Sequence, residues 1–158
     1  MATYNRTSST GGTVGHPASA LKSYVITSPV YDAVDNTDLE QGDIVQLIDL
    51  PADTMIIGGA IEVLEASGNE QITFDVGVTS GALTADAFVD GGDSDATGFT
   101  GFSTTALHSN AVTSADTLDL LVIDAGSSKT TAWRFRAHAV LVDISKNPVE
   151  SATVSTGT

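Results

Sequence analysis

Apolar and polar residues alternate with a period of two over much of the middle of the chain. Ile72, Phe74, Val76 and Val78 alternate with Thr73, Asp75, Gly77 and Thr79. That spacing sends one set to a core and the other to solvent, and predicts a half-buried β-strand. Trp133, Phe135, Ala137, Ala139 and Leu141 form a second such face, with Arg134, Arg136 and His138 beginning the opposite one. Further strands are predicted over IVQLIDL after Gly42-Asp43, over MIIGGAIEVLEA, and over TLDLLVIDA from Thr117. The strand begun in SYVITSPVYDAV is bent or confined to a sheet edge by Pro29, which has no N–H for a ladder.

Turn residues separate these runs. Pro51-Ala52-Asp53 closes one strand, with proline presetting φ. Gly58-Gly59 marks a bulge or the close approach of another backbone. Ser67-Gly68-Asn69-Glu70 and Gly126-Ser127-Ser128 make two more connections. Residues 83–90, LTADAFVD, are predicted to form a short helix, with Thr84 as N-cap and Gly91-Gly92 ending it. A Gly/Ser/Thr/Asp-rich loop is expected over 91–105, with weak strands near Phe99–Leu107. About eight short strands with one helix and no βαβ alternation predict an all-β fold, an antiparallel β-sandwich or jelly roll. Residues 21–146 are read as that domain. Residues 1–20 form an extended N-terminal arm and 147–158 a C-terminal tail, both rich in Ser, Thr and Gly. Segments so poor in apolar residues do not offset their own chain entropy, so a neighbouring subunit would have to order them.

Composition narrows the function. The chain of 158 residues, read as one domain, can bury roughly 70% of its unfolded surface, and needs no disulfide or metal to fold. Cysteine is absent, which removes thiol nucleophiles and Cys-ligated zinc. The start of the chain lacks the apolar core of a secretory signal, and no apolar run approaches a membrane span, so a soluble protein is expected. The net charge is −14, and 18 of the 20 acids lie between Ser23 and Ser128, where there is no Lys or Arg. Such a surface repels phosphate, which argues against nucleic acid and anionic membranes as partners. It serves solubility, or meets a basic partner.

The search for chemistry yields little. Asp93, Asp95, Thr97 and Gly98 in DGGDSDATG imitate the start of a calcium loop, with Asp90, Asp93 and Asp95 as the candidate ligands, but the position of the closing Glu, eleven residues after Asp93, is Thr104. His16, His108 and His138 show no metal-ligand spacing. There is no G-x-S-x-G elbow and no Gly-rich phosphate loop followed by Lys. The expectation is a protein that is not an enzyme and carries no cofactor. Arg134 and Arg136 are expected to pair with acids on a neighbouring strand. The functional alternative gives them, with Tyr4, Arg6, His16 and Lys22, to contacts with a partner surface.

The phrase GDIVQLIDLPADTMIIGGAIEVLEA, followed by ITFDVGVTSGALTADAFVDGG, resembles a group of small structural proteins encoded beside the major capsid protein of tailed phages. The shared features are Pro51-Ala52-Asp53-Thr54, Ile56-Ile57-Gly58-Gly59, Asp75-Val76-Gly77 and Asp86-Ala87-Phe88-Val89-Asp90-Gly91, then TSADTLDLLVIDAG before an aromatic-Arg strand. The resemblance covers roughly residues 40–145 and rests on turn signals. It implies a capsid decoration, or cement, protein: a β-sandwich made in the host cytoplasm that binds the outside of the mature head. Its partners would be the major capsid protein and copies of itself, as a homotrimer by preference or a dimer. The tyrosine, basic and histidine positions above, Tyr4, Arg6, His16, Lys22, Arg134 and Arg136, would be the capsid contacts. A head-fibre, collar or tail component is the alternative within phage structure. A carbohydrate-binding adhesion module is the alternative outside it, and predicts an exposed aromatic patch around Trp133, Tyr24 or Tyr31.

Overall fold

The computed structural model describes residues 22–33, 39–67, 72–78, 85–103, 111–125 and 132–144. These form ten strands: β1 (Lys22–Thr27), β2 (Tyr31–Asp32), β3 (Ile44–Leu50), β4 (Thr54–Glu65), β5 (Thr73–Gly77), β6 (Val89–Asp93), β7 (Gly98–Gly101), β8 (Ala111–Val112), β9 (Asp116–Asp124) and β10 (Arg134–Asp143). One sheet has the order β1-β10-β4-β7, with β2 also on β10 and β8 on β4; the other has the order β3-β9-β5-β6. Every pairing is antiparallel. The inward side chains of both sheets merge into one core, giving an all-β sandwich.

Turn chemistry decides where the chain changes sheets. After β3, Asp53 takes φ 58°, Thr54 Oγ1 donates to Pro51 O at 2.7 Å, and Ile144 N–H donates to Asp53 O at 2.8 Å. This turn moves the chain from the second sheet to the first within three residues. Pro29 both bends the strand and marks an edge, because β1 and β2 are two halves of one edge strand running along β10. In the gap Ser28 substitutes for the lost ladder: its N–H donates to Ala137 O and its Oγ accepts from Ala137 N–H, both at 2.9 Å. Counting β1 with β2, and leaving aside two-residue β8, returns the eight strands expected.

Trp133, Phe135, Ala137, Ala139 and Leu141 are all fully buried, as their alternation predicts. Trp133 links the layers, with ring centroids 4.2 Å from Phe135 in the first sheet and 5.7 Å from Phe74 in the second. Tyr31 stacks on Phe135 at 5.2 Å. Fully burying such a ring contributes about 1.5–3 kcal/mol, and each aromatic pair roughly 0.5–1.5 kcal/mol more. Among the described residues the Trp133 indole N–H has no hydrogen-bond partner. The Gly58-Gly59 pair does both things expected of it. The β4–β10 register shifts beside it, and a Cβ at Gly59 would stand 2.3 Å from the Phe102 ring and 2.4 Å from His138 O.

Three expectations fail. Among the described residues there is no helix: 85–88 make turns and bends, and β6 begins at Val89. Phe88 N–H donates to Val76 O and Phe88 O accepts from Ser103 N–H, so tertiary pairing takes the backbone groups a helix would use. Thr84 lies outside the described residues. Gly91-Gly92 is not a helix stop but part of a strand. Gly91 takes φ +65°, and the Phe74 ring lies where a Gly92 Cβ would project. Consequently the loop expected over 91–105 holds the end of β6 and all of β7, and the strand expected over Phe99–Leu107 is β7 alone among the described residues. Finally, Asp75 is not on a solvated face: it is 9% exposed and accepts from Gly91 N–H at 2.8 Å.

Candidate functional site

The outward face of β10 gathers the chemistry. Its neighbours supply an acid to each arginine: Arg134 Nε lies 2.9 Å from Asp32 Oδ2, and Arg136 Nε 2.6 Å from Glu62 Oε2. Both arginines therefore pair locally, as cross-strand positions favour. The register sets Thr27, His138, Ala60 and Gly101 in one row across β1, β10, β4 and β7. Consequently His138 Nε2 is 2.9 Å from Glu62 Oε2, and its Nδ1 is 3.0 Å from Thr27 Oγ1. With Nε2–H donating to the carboxylate, Nδ1 accepts the threonine proton.

Glu62 is held below the usual carboxylate range, first by the hydrogen bond from Arg136 and then by that from His138. Thr27, His138 and Glu62 have the connectivity of a hydroxyl–imidazole–carboxylate relay. Yet one Glu62 oxygen serves both Arg136 and His138, so its charge is already met by the guanidinium. The relay also lies on an open sheet face rather than in a cleft that could hold substrate and exclude water. Its arrangement fits surface organisation, not nucleophilic catalysis.

Phe99 and Val25 border this network. Phe99, from β7, is 69% exposed, with its ring 6.0 Å from that of His138; Val25, from β1, is 68% exposed. Sequence reasoning missed both. Phe99 lies in a stretch whose pattern predicts only a weak strand, and its flanks, Gly98 and Thr100, carry no signal of which way it points. The aromatic patch predicted for sugar binding does not form: Trp133 is fully buried, while Tyr24 and Tyr31 are partly buried against the core.

Among the other predicted positions, Tyr4, Arg6, His16 and His108 lie outside the described residues. Lys22 opens β1 opposite Asp143. Asp90 and Asp93 belong to β6, and the Asp93 carboxylate accepts from Asp95 N–H at 2.9 Å, closing its own turn. The Asp95 carboxyl is pushed up by desolvation and then by the charge of Asp93. Among the described residues no group of three or more His, Asp or Glu is placed to hold a metal. A groove of about 660 Å³ opens beside β3, lined by Tyr31, Leu39, Asp43, Ile44 and Asp119 among others. Its charged groups are carboxylates, which disfavour an anionic ligand.

No family model matches the sequence, and no curated protein matches it. Solved structures do match in fold. A chain of the cyanophage Pam1 capsid asymmetric unit aligns with TM-score 0.61 and 13% identity, over 90% of this chain and 99% of that one. A chain from the capsid of Ralstonia phage GP4 aligns with TM-score 0.59 and 14% identity, over 87% and 94%. A chain of the acid-stable capsid of Helicobacter pylori bacteriophage KHP30 aligns with TM-score 0.51 and 13% identity, over 76% and 86%. At these identities the shared property is the fold.

Proposed function

We propose that this chain is a structural protein of a phage virion, and specifically a decoration or cement protein on the outside of the mature head. The observation that carries the reading is that its fold-mates are capsid chains matched almost end to end. The likeness is therefore to whole capsid subunits of similar size rather than to one domain of a larger protein. The strand order β1-β10-β4-β7 against β3-β9-β5-β6, with the chain crossing repeatedly between layers, supports a double-sheet jelly roll. That architecture serves viral capsids and lectins alike. The burial of Trp133 and the core packing of Tyr24 and Tyr31 favour the capsid reading over the sugar-binding one.

Its mechanism is added interface. A rigid sandwich bridges neighbouring capsid subunits, the arms at 1–20 and 147–158 lie over them, and Lys22 meets their acids together with the parts of Arg134 and Arg136, 45% and 36% exposed, that Asp32 and Glu62 leave uncovered. Its partners are the major capsid protein and further copies of itself, and its role is structural rather than enzymatic. Binding the mature lattice alone shifts the equilibrium toward it by mass action.

Purified heads stripped of the protein, then recombined with it, test the reading. Recombined heads should take up the protein at saturable occupancy and withstand higher temperature than stripped ones. Heads that neither bind it nor gain heat resistance would sink the cement role. Deleting residues 2–20 then isolates the arm: unchanged occupancy would remove the arm from the mechanism and leave the sandwich as the binding element.

A further inference from the structure

The two sheets present four edges, and three of them are blunted against pairing with another chain. The β1/β2 edge starts at Lys22 and is broken at Pro29; β7 and β8 are four and two residues long; β6 is five residues, with its pairing to β5 shifted between Phe74 and Val76. Strand β3 is different. It has seven residues without Pro, Lys or Arg, and among the described residues it pairs with β9 alone. Its register breaks only between Gln46 and Ile48, which leaves Ile44–Gln46 regular. Val122 N–H donates to Asp43 O at 2.9 Å, so Asp43 faces β9. Antiparallel pairs alternate, so Val45 also faces β9, while the N–H and C=O groups of Ile44 and Gln46 point away from it. The groove of about 660 Å³ touches Asp43, Ile44, Val45 and Gln46 in succession, and therefore runs along the strand rather than over one face of it. Tyr31 of β2, Leu39 and the Asp119 carboxylate complete its lining.

We propose that this edge is a strand-addition site, which receives an extended segment of a different protein whose apolar residues alternate with Lys or Arg. A row of outward backbone donors and acceptors beside a groove is what such recognition uses: main-chain bonds supply affinity, and alternate side chains supply specificity. The incoming strand bonds to Ile44 and Gln46, its apolar side chains pack on Tyr31 and Leu39, and its basic ones meet the Asp43 and Asp119 carboxylates. Charge names the occupant. Strands β3, β9, β5 and β6 carry seven acids and no Lys or Arg, so an acidic or neutral segment gains nothing there and a basic one does. A second copy of this chain does not fit. Among its described strands the bases are Lys22 on β1 and Arg134 and Arg136 on β10, which is enclosed by β1, β2 and β4. The site stands independently of the head-binding role, because it follows from the edge and the groove alone.

A capped heptapeptide alternating Lys and Val is the probe, titrated to about 1 mM into the isotope-labelled full chain and followed by NMR. Binding should saturate and slow exchange of the Ile44 and Gln46 amides at least about tenfold, with the Val45 amide, already in the ladder, changed far less. Gln46→Pro removes one outward N–H without touching the bonds to β9, and should weaken binding about tenfold, with far-UV circular dichroism as the folding control. A fully N-methylated probe keeps every side chain and charge but has no backbone donors. It should bind at least about tenfold more weakly to the unaltered chain, which decides the matter even where Gln46→Pro fails to fold. A probe with Glu in place of Lys should not bind. No saturable binding, unchanged Ile44 and Gln46 exchange at saturation, or a folded Gln46→Pro chain that binds as tightly as wild type overturns the proposal. So does an N-methylated probe as tight as its parent, which would mark charge attraction without strand pairing, or a Glu probe as tight as the Lys one.

Discussion

The two sheets share a core and differ in what they show outside it. The strands of the first carry four acids against Lys22, Arg134, Arg136 and His138, and those of the second carry seven acids and no base. In the first sheet the outward polar groups meet one another across strands and stay partly exposed. In the second, two outward acids are buried: Asp75, bonded to Gly91 N–H, and Asp119, which accepts from Thr117 Oγ1 at 2.6 Å. The same period-two alternation underlies both. Alternation tells which side chains share a face, but not whether that face meets water.

The largest expected effect removes the seam that both sheets depend on. Phe74→Ala should cost about 3–5 kcal/mol by chemical denaturation. One cooperative transition should persist, and separate transitions for the two sheets would contradict a single core. Gly59→Ala attacks the first sheet from inside, where His138 O is backbone and cannot yield, and should cost about 1–3 kcal/mol. Gly101→Ala, on the open side of the same sheet, is its control and should be close to neutral. Asp75→Ala tests the buried outward acid of the second sheet. It strands the Gly91 N–H and should cost about 1–3 kcal/mol, where a solvated aspartate would cost almost nothing.

The smallest effect lies on the exposed network and shows itself through pH. The carboxyl of Glu62 is held low in the folded chain, so its contribution is present above the unfolded carboxyl's range and fades as pH falls through the lower folded value. Thermal midpoints of wild type and Glu62→Gln should therefore differ near neutral pH and converge in acid. A gap that does not change with pH would assign the loss to packing, not to the Arg136 and His138 contacts.

Legibility followed the range of the interaction. The β10 pattern could be read because each of its buried residues obeys a local alternation, and Pro29 and Pro51-Ala52-Asp53 could be read because their backbone limits are intrinsic. The helix expected at 83–90 was misjudged because Phe88 bonds to Val76 and Ser103, partners distant in sequence. At the candidate surface, Arg134 and Arg136 were visible as a pair facing one way. Glu62 as the shared partner of Arg136 and His138 was not, because only the β4–β10 register, shifted at Val140/Leu141, sets it beside them. Phe99 was hidden for a related reason: a two-glycine strand gives no local clue to what its single large side chain faces.

The amino-acid sequence by itself determined that this chain makes an acidic, cysteine-free β-fold, which residues of its long strands face inward, and where the chain must turn. These follow from backbone stereochemistry and from the hydrophobic effect acting at a period of two. Only the tertiary structure decided strand order, the burial of Asp75 and Asp119, and the meeting of Thr27, His138, Glu62 and Arg136. Those depend on which strands become neighbours, a choice made by the collective packing of two sheets around Trp133.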